Sequence, residues 1–417
     1  MDSLKIVGGA KLSGKVSVSA AKNSSLPILI STLLSSQKIQ LQGLPALRDM
    51  STTFKLLTNL GATIEDIGNG DSNISCATVN STEATYDLVK TMRASILVLG
   101  PLLARYGEAR VSLPGGCAIG DRPVDIHLSN LEKLGAKIVL EKGYVHATCE
   151  KLKGAELELS FPSVGATENL MMAATLAQGV TLIKNAAQEP EIIDLADFLN
   201  KMGAKVEGAG TSVIKISGVE SLGPAKHRPI GDRIEAITYI ICGLATNSSI
   251  EITDFCPEYI EDVINILKTM GANLEVMKNG VKTKPSSLKP FQAVTAPYPG
   301  FPTDAQAQLM ALMALIPGRS TIVENIFENR FMHVPELNRL GANIKVDGKI
   351  ATIDGVQSFS GAEVMCTDLR ASAALVIGAL VAVGETKISR VYHLDRGYEK
   401  IEEKLTTLGA KIFRTNA

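Results

Sequence analysis

A phrase of one large apolar residue, a glycine and an alanine recurs along the chain at nearly constant spacing. Each copy closes a segment with helical periodicity and precedes a run in which apolar and polar residues alternate. The six copies are Leu60-Gly61-Ala62, Leu134-Gly135-Ala136, Met202-Gly203-Ala204, Met270-Gly271-Ala272, Leu340-Gly341-Ala342 and Leu408-Gly409-Ala410. Successive glycines are 74, 68, 68, 70 and 68 residues apart. Regular spacing of this kind indicates a repeat architecture.

The residues around each phrase predict the elements of one repeat. Before the fourth phrase, apolar residues recur at i, i+3, i+4 and i+7 over 260–267, which predicts an amphipathic helix. The glycine then serves as the C′ residue, because it adopts the left-handed conformation without steric cost. Upstream lie a helix of small apolar residues, such as 26–34, and a strand, such as 38–41. Each repeat therefore reads helix, strand, helix, strand, strand.

The last repeat lacks a hairpin, because only eight residues follow Gly409. Residues 6–18 resemble residues 353–365, so we predict that residues 1 to about 20 pair with the C-terminal repeat. The chain then crosses twice between two three-repeat α/β domains, near Ala20-Ala21 and Pro229-Ile230. The predicted domains are 21–229, and 230–417 together with 1–20, with an active site in the cleft between them.

Composition narrows the class of protein. Of 417 residues, 45% are hydrophobic but only 4% aromatic, with no Trp, so the cores are built from small aliphatic residues. Forty-two basic and 43 acidic residues leave a net charge of -1, which excludes a basic coat for nucleic acid or anionic membrane. Six cysteines without a CxxC pair favour a reducing cytosol over a zinc or disulfide framework. Asp2 does not fit a signal peptide, and the longest apolar stretch, 371–384, is too short for a membrane span, so we expect a cytoplasmic protein.

Cations near the predicted helix N-termini indicate a local anion site. Lys22, Arg93 and Arg370 each stand where a helix begins, although a cation there opposes the helix dipole. Equivalent helices of a repeat point the same way, so their N-termini gather on one side, where anions bind. Polar residues at the other helix starts have a simpler interpretation as N-caps; these are Thr167, Asp232 and Thr303.

A glycine-rich loop contains a second group of candidate functional residues. It spans 113–127 and carries Cys117 and Arg122. An exposed cysteine beside a cation is a candidate thiolate, whereas packing is the commoner use of a free cysteine, as Cys242 in an apolar helix illustrates. Acid or base roles would fall on His127, His393, Asp304 or Asp368.

Seven segments together carry a family resemblance. They are AAKNSSLPIL (20–29), PGGCAIGDRPVDIHL (114–128), FPSVGATEN (161–169), FPTDAQAQ (301–308), ENRFMHVPEL (328–337), TDLRASAAL (367–375) and HLDRGYEKIEEKL (393–405). In combination the chain resembles the bacterial UDP-N-acetylglucosamine enolpyruvyl transferases. That family has two domains of three βαβαββ repeats each, an inside-out α/β barrel, which agrees with the six repeats above.

The resemblance implies a reaction and roles for individual residues. The enolpyruvyl group of phosphoenolpyruvate would pass to the 3′-hydroxyl of UDP-N-acetylglucosamine with release of phosphate, in peptidoglycan precursor synthesis; no metal or cofactor is implied. Cys117 would be the general acid at the methylene carbon and Asp304 the base toward the sugar hydroxyl. Residues implied to contact phosphoenolpyruvate are Lys22, Arg122, Arg396, Arg330 and Arg370. Those implied to bind the UDP-sugar are Asn23, Arg93, Arg122, Pro123, Val124, Asp125, Ile126, His127, Ser163, Val164, Gly165, Thr303, Asp304 and Ile326, and Asp368 is placed in the same site.

One departure and two alternatives remain. Phe161 stands where some members carry a lysine beside the uridine, so backbone contacts from 163–165 would matter more. Cys117 matches the usual form, which predicts covalent inhibition by fosfomycin. The alternatives are a shikimate 3-phosphate enolpyruvyl transferase, which lacks the PGGC loop, and a non-catalytic anion-binding repeat protein.

Overall fold

The six repeats form six four-stranded sheets. The computed structural model describes residues 2–90, 92–113 and 124–415. Its contacts divide the chain into two compact units. The middle unit comprises the described residues of 20–230, and the terminal unit comprises 2–19 and 231–415. Whether these units are independent domains stays a prediction.

The middle unit contains seven α-helices among its described residues. They are α1 (Lys22–Ser31), α2 (Arg48–Leu60), α3 (Tyr86–Val89), α4 (Leu99–Tyr106), α5 (Asp125–Lys133), α6 (Val164–Ala174) and α7 (Pro190–Lys201). Short 3₁₀ helices span Thr32–Leu34 and Arg93–Val98. Its strands are β3 (Lys38–Leu41), β4 (Thr63–Gly68), β5 (Asp71–Ser75), β6 (Glu83–Ala84), β7 (Glu108–Ser112), β8 (Lys137–Glu141), β9 (Tyr144–Thr148), β10 (Glu156–Glu158), β11 (Val180–Lys184), β12 (Lys205–Glu207), β13 (Val213–Ser217) and β14 (Lys226–His227).

The terminal unit repeats this inventory. Its helices are α8 (Arg233–Ala245), α9 (Glu261–Thr269), α10 (Gln306–Met313), α11 (Val334–Arg339), α12 (Leu369–Val381) and α13 (Ile401–Thr407), with 3₁₀ helices at Pro257–Ile260, Thr303–Ala305 and Val391–Arg396. Its strands are β1 (Ser3–Val7), β2 (Ser13–Ser17), β15 (Ser249–Thr253), β16 (Asn273–Met277), β17 (Gly280–Lys284), β18 (Gln292–Val294), β19 (Arg319–Val323), β20 (Asn343–Asp347), β21 (Ile350–Asp354), β22 (Glu363–Met365), β23 (Glu385–Ser389) and β24 (Lys411–Thr415).

All six sheets share one strand pattern. In the middle unit the orders are β14-β3-β5-β4, β6-β7-β9-β8 and β10-β11-β13-β12, and in the terminal unit β2-β15-β17-β16, β18-β19-β21-β20 and β22-β23-β1-β24. The first pair in each order is parallel and the next two are antiparallel. A common pattern in every sheet is what a sequence repeat predicts.

The N-terminal segment divides between two sheets. β1 lies between β23 and β24, with Ile6 opposite Thr386 and Ile412, as predicted for the last repeat. β2 instead pairs in parallel with β15, with Val16 opposite Ile252. The prediction that all of residues 1–20 pair with the C-terminal repeat is therefore wrong for β2. Alternating apolar residues define a strand but do not choose between two available sheet edges.

The first helix of each repeat lies inside its unit, whereas the second helix keeps an exposed face. α8, α10 and α12 are buried along nearly their whole length and pack on one another. In the middle unit α4 packs against α6, and α1 against the 3₁₀ helix that precedes α4. A helix that is apolar on all sides must be enclosed, and here the sheets enclose it. This arrangement confirms the predicted α/β class, with three repeats in each unit.

The six recurring glycines close helices as the repeat pattern predicts. Their φ angles lie between 98° and 108°, a region that a residue with a Cβ rarely adopts. The alanine that follows each glycine starts the path into a strand. Among the described residues, no helix combines the length and the apolar character needed to cross a bilayer.

Candidate active site

In the terminal unit, Asp304 lies between two buried arginines. It is the second residue of the 3₁₀ helix Thr303–Ala305. Arg330 Nη2 donates to its Oδ1 at 2.8 Å, and Arg370 Nη2 donates to its Oδ2 at 3.2 Å. The arginine side chains are 4% and 3% exposed, and the aspartate side chain 28%. A carboxylate held at both oxygens is fixed in orientation while one side remains open to a reactant.

Arg370 retains donors beyond its bond to Asp304. It is the second residue of α12, and Asp368 caps that helix by accepting from the N–H groups of Arg370 and Ala371 at 2.9 and 3.0 Å. Among the described residues, nothing accepts a hydrogen bond from its Nε or Nη1. Burial alone would lower the pKa of Arg370, but the Asp304 carboxylate outweighs it and the pKa is raised. A buried guanidinium with open donors is a ready site for an oxyanion.

Glu324 organises two further predicted residues. Its Oε2 accepts from Thr303 Oγ1 at 3.0 Å, and its Oε1 accepts from the Ile326 N–H at 2.8 Å. The same Oε1 also accepts from Thr295 and from the Phe327 N–H. Glu324 is only 1% exposed. It therefore joins the Asp304 turn to the loop after β19.

In the middle unit, Lys22 is the first residue of α1 and is paired inside the protein. Its Nζ lies 2.9 Å from Asp49 Oδ2, and both side chains are buried. No side chain caps the start of α1. A cation at a helix N-terminus is unfavourable, and the Asp49 carboxylate offsets the charge of Lys22 there. Asn23, the next residue, is partly buried.

Arg93, His127 and Gly165 come together in the same unit. His127 Nδ1 lies 3.1 Å from Asn169 Nδ2, which makes Nδ1 the acceptor. Burial, and then the charge of Arg93, lowers the pKa of His127 to about 4. A Cβ added at Gly165 would lie 3.5 Å from His127 Cε1, so the backbone passes close to the ring. The imidazole is neutral near pH 7 and presents its other nitrogen as a donor.

The remaining predicted sugar residues stand at two helix starts. Val124 precedes α5, whose first residues are Asp125 and Ile126. Ser163 is the N-cap of α6 and accepts from the Ala166 N–H at 3.3 Å, while Val164 is the first helical residue. The N-cap interpretation of Thr167 is wrong, because α6 begins three residues earlier and Thr167 Oγ1 accepts from the Ala187 N–H.

Thr303 is likewise not an N-cap, since its hydroxyl donates to Glu324. Asp232 does cap α8, accepting from the N–H groups of Ile234 and Glu235. Arg396 ends the 3₁₀ helix Val391–Arg396 and is partly buried.

Cys117, Arg122 and Pro123 lie outside the described residues. The other cysteines show what packing does to a thiol, because burial raises the pKa of both Cys242 and Cys366 to about 12. Among the described residues, no group of three or more His, Cys, Asp or Glu side chains is arranged to hold a metal ion.

The acceptors that hold the site together were missed in the sequence. Asp49 stands far along the chain from Lys22, and Glu324 far from Thr303. Each resembles an ordinary surface acid in the sequence. Asn169 is different, because it ends the FPSVGATEN segment. A buried polar residue within a helix of small apolar residues was a usable signal there.

The fold and the site define a class of enzyme. Residues 6–405 match the family model of EPSP synthase (3-phosphoshikimate 1-carboxyvinyltransferase), and the chain belongs to this family. The UDP-N-acetylglucosamine 1-carboxyvinyltransferase of Geobacter metallireducens is 55% identical over 416 residues, 99% of each chain. That of Trichlorobacter lovleyi is 56% identical over 421 residues, 100% of each chain. Among solved structures, the enolpyruvyl transferase NikO from Streptomyces tendae has a TM-score of 0.89 and 27% identity, covering 100% of this chain and 99% of that chain. The resemblance drawn from the sequence is confirmed.

Proposed function

We propose that this chain transfers the enolpyruvyl group of phosphoenolpyruvate to the 3′-hydroxyl of UDP-N-acetylglucosamine and releases phosphate, the first committed step of peptidoglycan precursor synthesis. The observation that carries the proposal is Asp304 held between two buried arginines, one of which keeps open donors. Relatives that are 55% and 56% identical carry the name of this activity. We place the reaction in the cytoplasm, because six cysteines without a CxxC pair suit a reducing compartment.

The cationic residues suit a substrate with two anionic groups. Phosphoenolpyruvate carries a carboxylate and a phosphate, and the Nε and Nη1 of Arg370 can each donate to a separate anionic oxygen. Arg330 holds Asp304 beside it. Lys22, Arg122 and Arg396 are assigned to the phosphate and to the charge that develops there. Such fixed charges stabilise a transition state without having to reorganise.

The reaction needs one acid and one base. The Cys117 thiol gives its proton to C3 of phosphoenolpyruvate, which makes C2 electrophilic. Asp304 takes the proton of the 3′-hydroxyl while that oxygen bonds to C2, forming a tetrahedral intermediate. Loss of a proton from C3 and departure of phosphate from C2 then restore the double bond in the product. The base acts from the side of the Asp304 carboxylate that the two arginines leave exposed.

The middle-unit residues suit a neutral sugar and base. His127 is uncharged, with a donor nitrogen available, and the N-terminal turn of α6 offers backbone N–H groups at 164 and 165. Phe161 lies beside them and is 41% exposed. We assign Asn23, Arg93, residues 124–127 and Ser163 to UDP-N-acetylglucosamine, together with Ile326 and Thr303.

One assay tests the proposal against its alternatives. Purified protein is incubated with phosphoenolpyruvate and either UDP-N-acetylglucosamine or shikimate 3-phosphate, and phosphate release is measured. We expect release only with UDP-N-acetylglucosamine. Release only with shikimate 3-phosphate, or with neither acceptor, would overturn the proposal.

The role of Cys117 has its own test. Cys117→Ser replaces the thiol by a much weaker acid, so phosphate release should fall by about 10²-fold or more. Fosfomycin should add its mass to the wild-type protein at Cys117. Cys256→Ser, at a partly exposed thiol in the terminal unit, is the matched control and should change neither result. Full turnover by Cys117→Ser, or an adduct elsewhere, contradicts the assignment.

A further inference from the structure

Helix α10 carries two fully buried glutamines directly after the Asp304 turn. Gln306 and Gln308 are both 0% exposed, in a helix whose other residues are apolar. Burying an amide costs free energy unless its atoms are hydrogen-bonded. Among the described residues, neither amide oxygen has a hydrogen-bond partner, but the two nitrogens differ, because only the Nε2 of Gln308 has partners. That difference points to a role for Gln308.

Gln308 is bonded to the backbone of Asp304. Its Nε2 donates to the Asp304 carbonyl oxygen at 2.9 Å. That contact sets the orientation of the amide, because a flipped side chain would place its oxygen against the carbonyl oxygen. The same Nε2 lies 3.2 Å from both Thr238 Oγ1 and Tyr398 Oη. Gln308 thus connects the Asp304 turn with α8 and with the residue after Gly397.

Tyr398 extends the connection to Arg370. The Thr238 hydroxyl donates to the Ile234 carbonyl at 2.9 Å, so it accepts from Tyr398 Oη, 2.8 Å away. The Tyr398 ring lies 5.5 Å from the Arg370 guanidinium carbon, within the range of a cation–π contact. Asp304 and Arg370, which bond to each other, are therefore both supported by one buried network.

We propose that Gln308 is a positioning residue that fixes the Asp304 peptide and, through Tyr398, the Arg370 guanidinium. It contacts neither substrate. With the amide in place, the Asp304 carboxylate is held at the point where its two oxygens meet Arg330 and Arg370. Small displacements of a base lower turnover steeply. The inference rests on the proposed function only for its kinetic readout.

Gln306 is a matched control in the same helix. Among the described residues, neither of its amide atoms has a hydrogen-bond partner. Gln306→Met and Gln308→Met remove the same group from the same buried helix and replace it with an unbranched apolar chain of similar length. The two variants should therefore lose similar amounts of folding stability, apart from the additional loss in Gln308→Met that comes from its broken hydrogen bonds.

The first measurement is steady-state phosphate release by the full chain with phosphoenolpyruvate and UDP-N-acetylglucosamine. We expect Gln308→Met to lower kcat by about 30-fold, with KM for either substrate changed by less than about threefold, because the base is displaced while substrate contacts remain. Gln306→Met should stay within about twofold of wild type. Equal kcat values for the two variants would overturn the inference, provided that wild type is active.

The second measurement does not depend on activity. Amide hydrogen exchange in a peptide covering 301–309 should be about tenfold faster in Gln308→Met than in Gln306→Met, because the turn has lost its anchor. Unchanged exchange contradicts the inference even if wild type transfers no enolpyruvyl group. Inactive wild type with faster exchange would instead contradict the proposed function and leave Gln308 as the anchor of the turn.

Discussion

The Asp304 cluster of the terminal unit and the His127 cluster of the middle unit are held by opposite electrostatic means. In the terminal unit, a carboxylate is clamped by two charged guanidinium groups, and one of these keeps donors open for a further anion. In the middle unit, His127 is kept neutral by burial and by Arg93, and an amide group fixes its ring. One cluster is built around permanent charge and the other around an uncharged hydrogen-bonding ring.

The two clusters suit different parts of a reaction. Preorganised charge stabilises a reaction in which charge develops, so substitutions around Asp304 should lower kcat. Neutral hydrogen-bonding groups recognise a sugar or a base by shape and by donor and acceptor pattern, so substitutions that disturb sugar contacts should raise KM.

Asp304→Asn should have the largest effect. The amide keeps the size of the side chain but cannot act as a base, so kcat should fall by about 10³-fold. Phosphate release in the presence of both substrates measures it. The control is Asp354→Asn, because Asp354 also accepts two hydrogen bonds from an arginine, Arg319, but is a partly exposed residue at the end of β21. Turnover of Asp304→Asn within tenfold of the control would contradict the comparison.

Each unit also contains a buried histidine with a low pKa, and these should make stability depend on pH. Burial lowers the pKa of His127 and of His333 to about 4; around His333, Asp368 raises the pKa and Arg330 lowers it. In the unfolded chain both histidines have a pKa near 6.5. Between about pH 4 and pH 6.5 the unfolded chain therefore binds more protons than the folded chain. Stability is therefore complete above about pH 6.5 and falls as pH decreases, by about 2 kcal/mol per histidine between pH 7 and 5.

Urea unfolding at pH 7 and pH 5 measures this dependence. His127→Gln and His333→Gln should each remove one part of the loss, and the double variant both parts. His146→Gln, at a partly exposed histidine, is the control and should leave the loss unchanged. If both single variants show the wild-type pH dependence, the two histidines are not neutral in the folded protein.

Glu324→Gln should have a smaller effect, expressed in KM. The carboxylate accepts four hydrogen bonds, and an amide cannot accept at both ends, so Thr303 or the Ile326 loop loses its acceptor. We expect KM for UDP-N-acetylglucosamine to rise about tenfold with kcat within about threefold, which corresponds to the loss of one or two hydrogen bonds. Glu328→Gln, an exposed neighbour, is the control. A loss confined to kcat would assign Glu324 to the chemical step instead.

Much of the fold could be predicted because short local sequence patterns define each repeat. A glycine such as Gly135, at φ 98°, is required wherever a helix must end in the left-handed conformation, so its spacing reveals the repeat directly. The pairing of β2 could not be predicted in the same way. Its residues specify a strand with one apolar face, and only the tertiary structure determines that β15 offers the free edge.

For the site, the cations were easier to predict than the groups that hold them. Lys22 and Arg370 stand out because a positive charge at a helix start is unfavourable without a reason. Nothing in the sequence marks Asp49 or Glu324 as unusual, because acidic residues near helix starts and after strands are common. In the sequence, Gln308 is only one residue of a motif. Its positioning role depends on a hydrogen bond to the Asp304 carbonyl that forms on folding.

The position of β1 between β23 and β24 has a consequence for how the protein is made. The three sheets of the middle unit use only strands from residues 20–230, so all of those strands are synthesised before most of the terminal unit. The first strands pair later: β2 must wait for β15, and β1 for β23 and β24, near the end of translation. The earliest residues synthesised are thus among the last to be paired. Until then their alternating apolar side chains and unpaired edges stay exposed, which is the condition that favours aggregation.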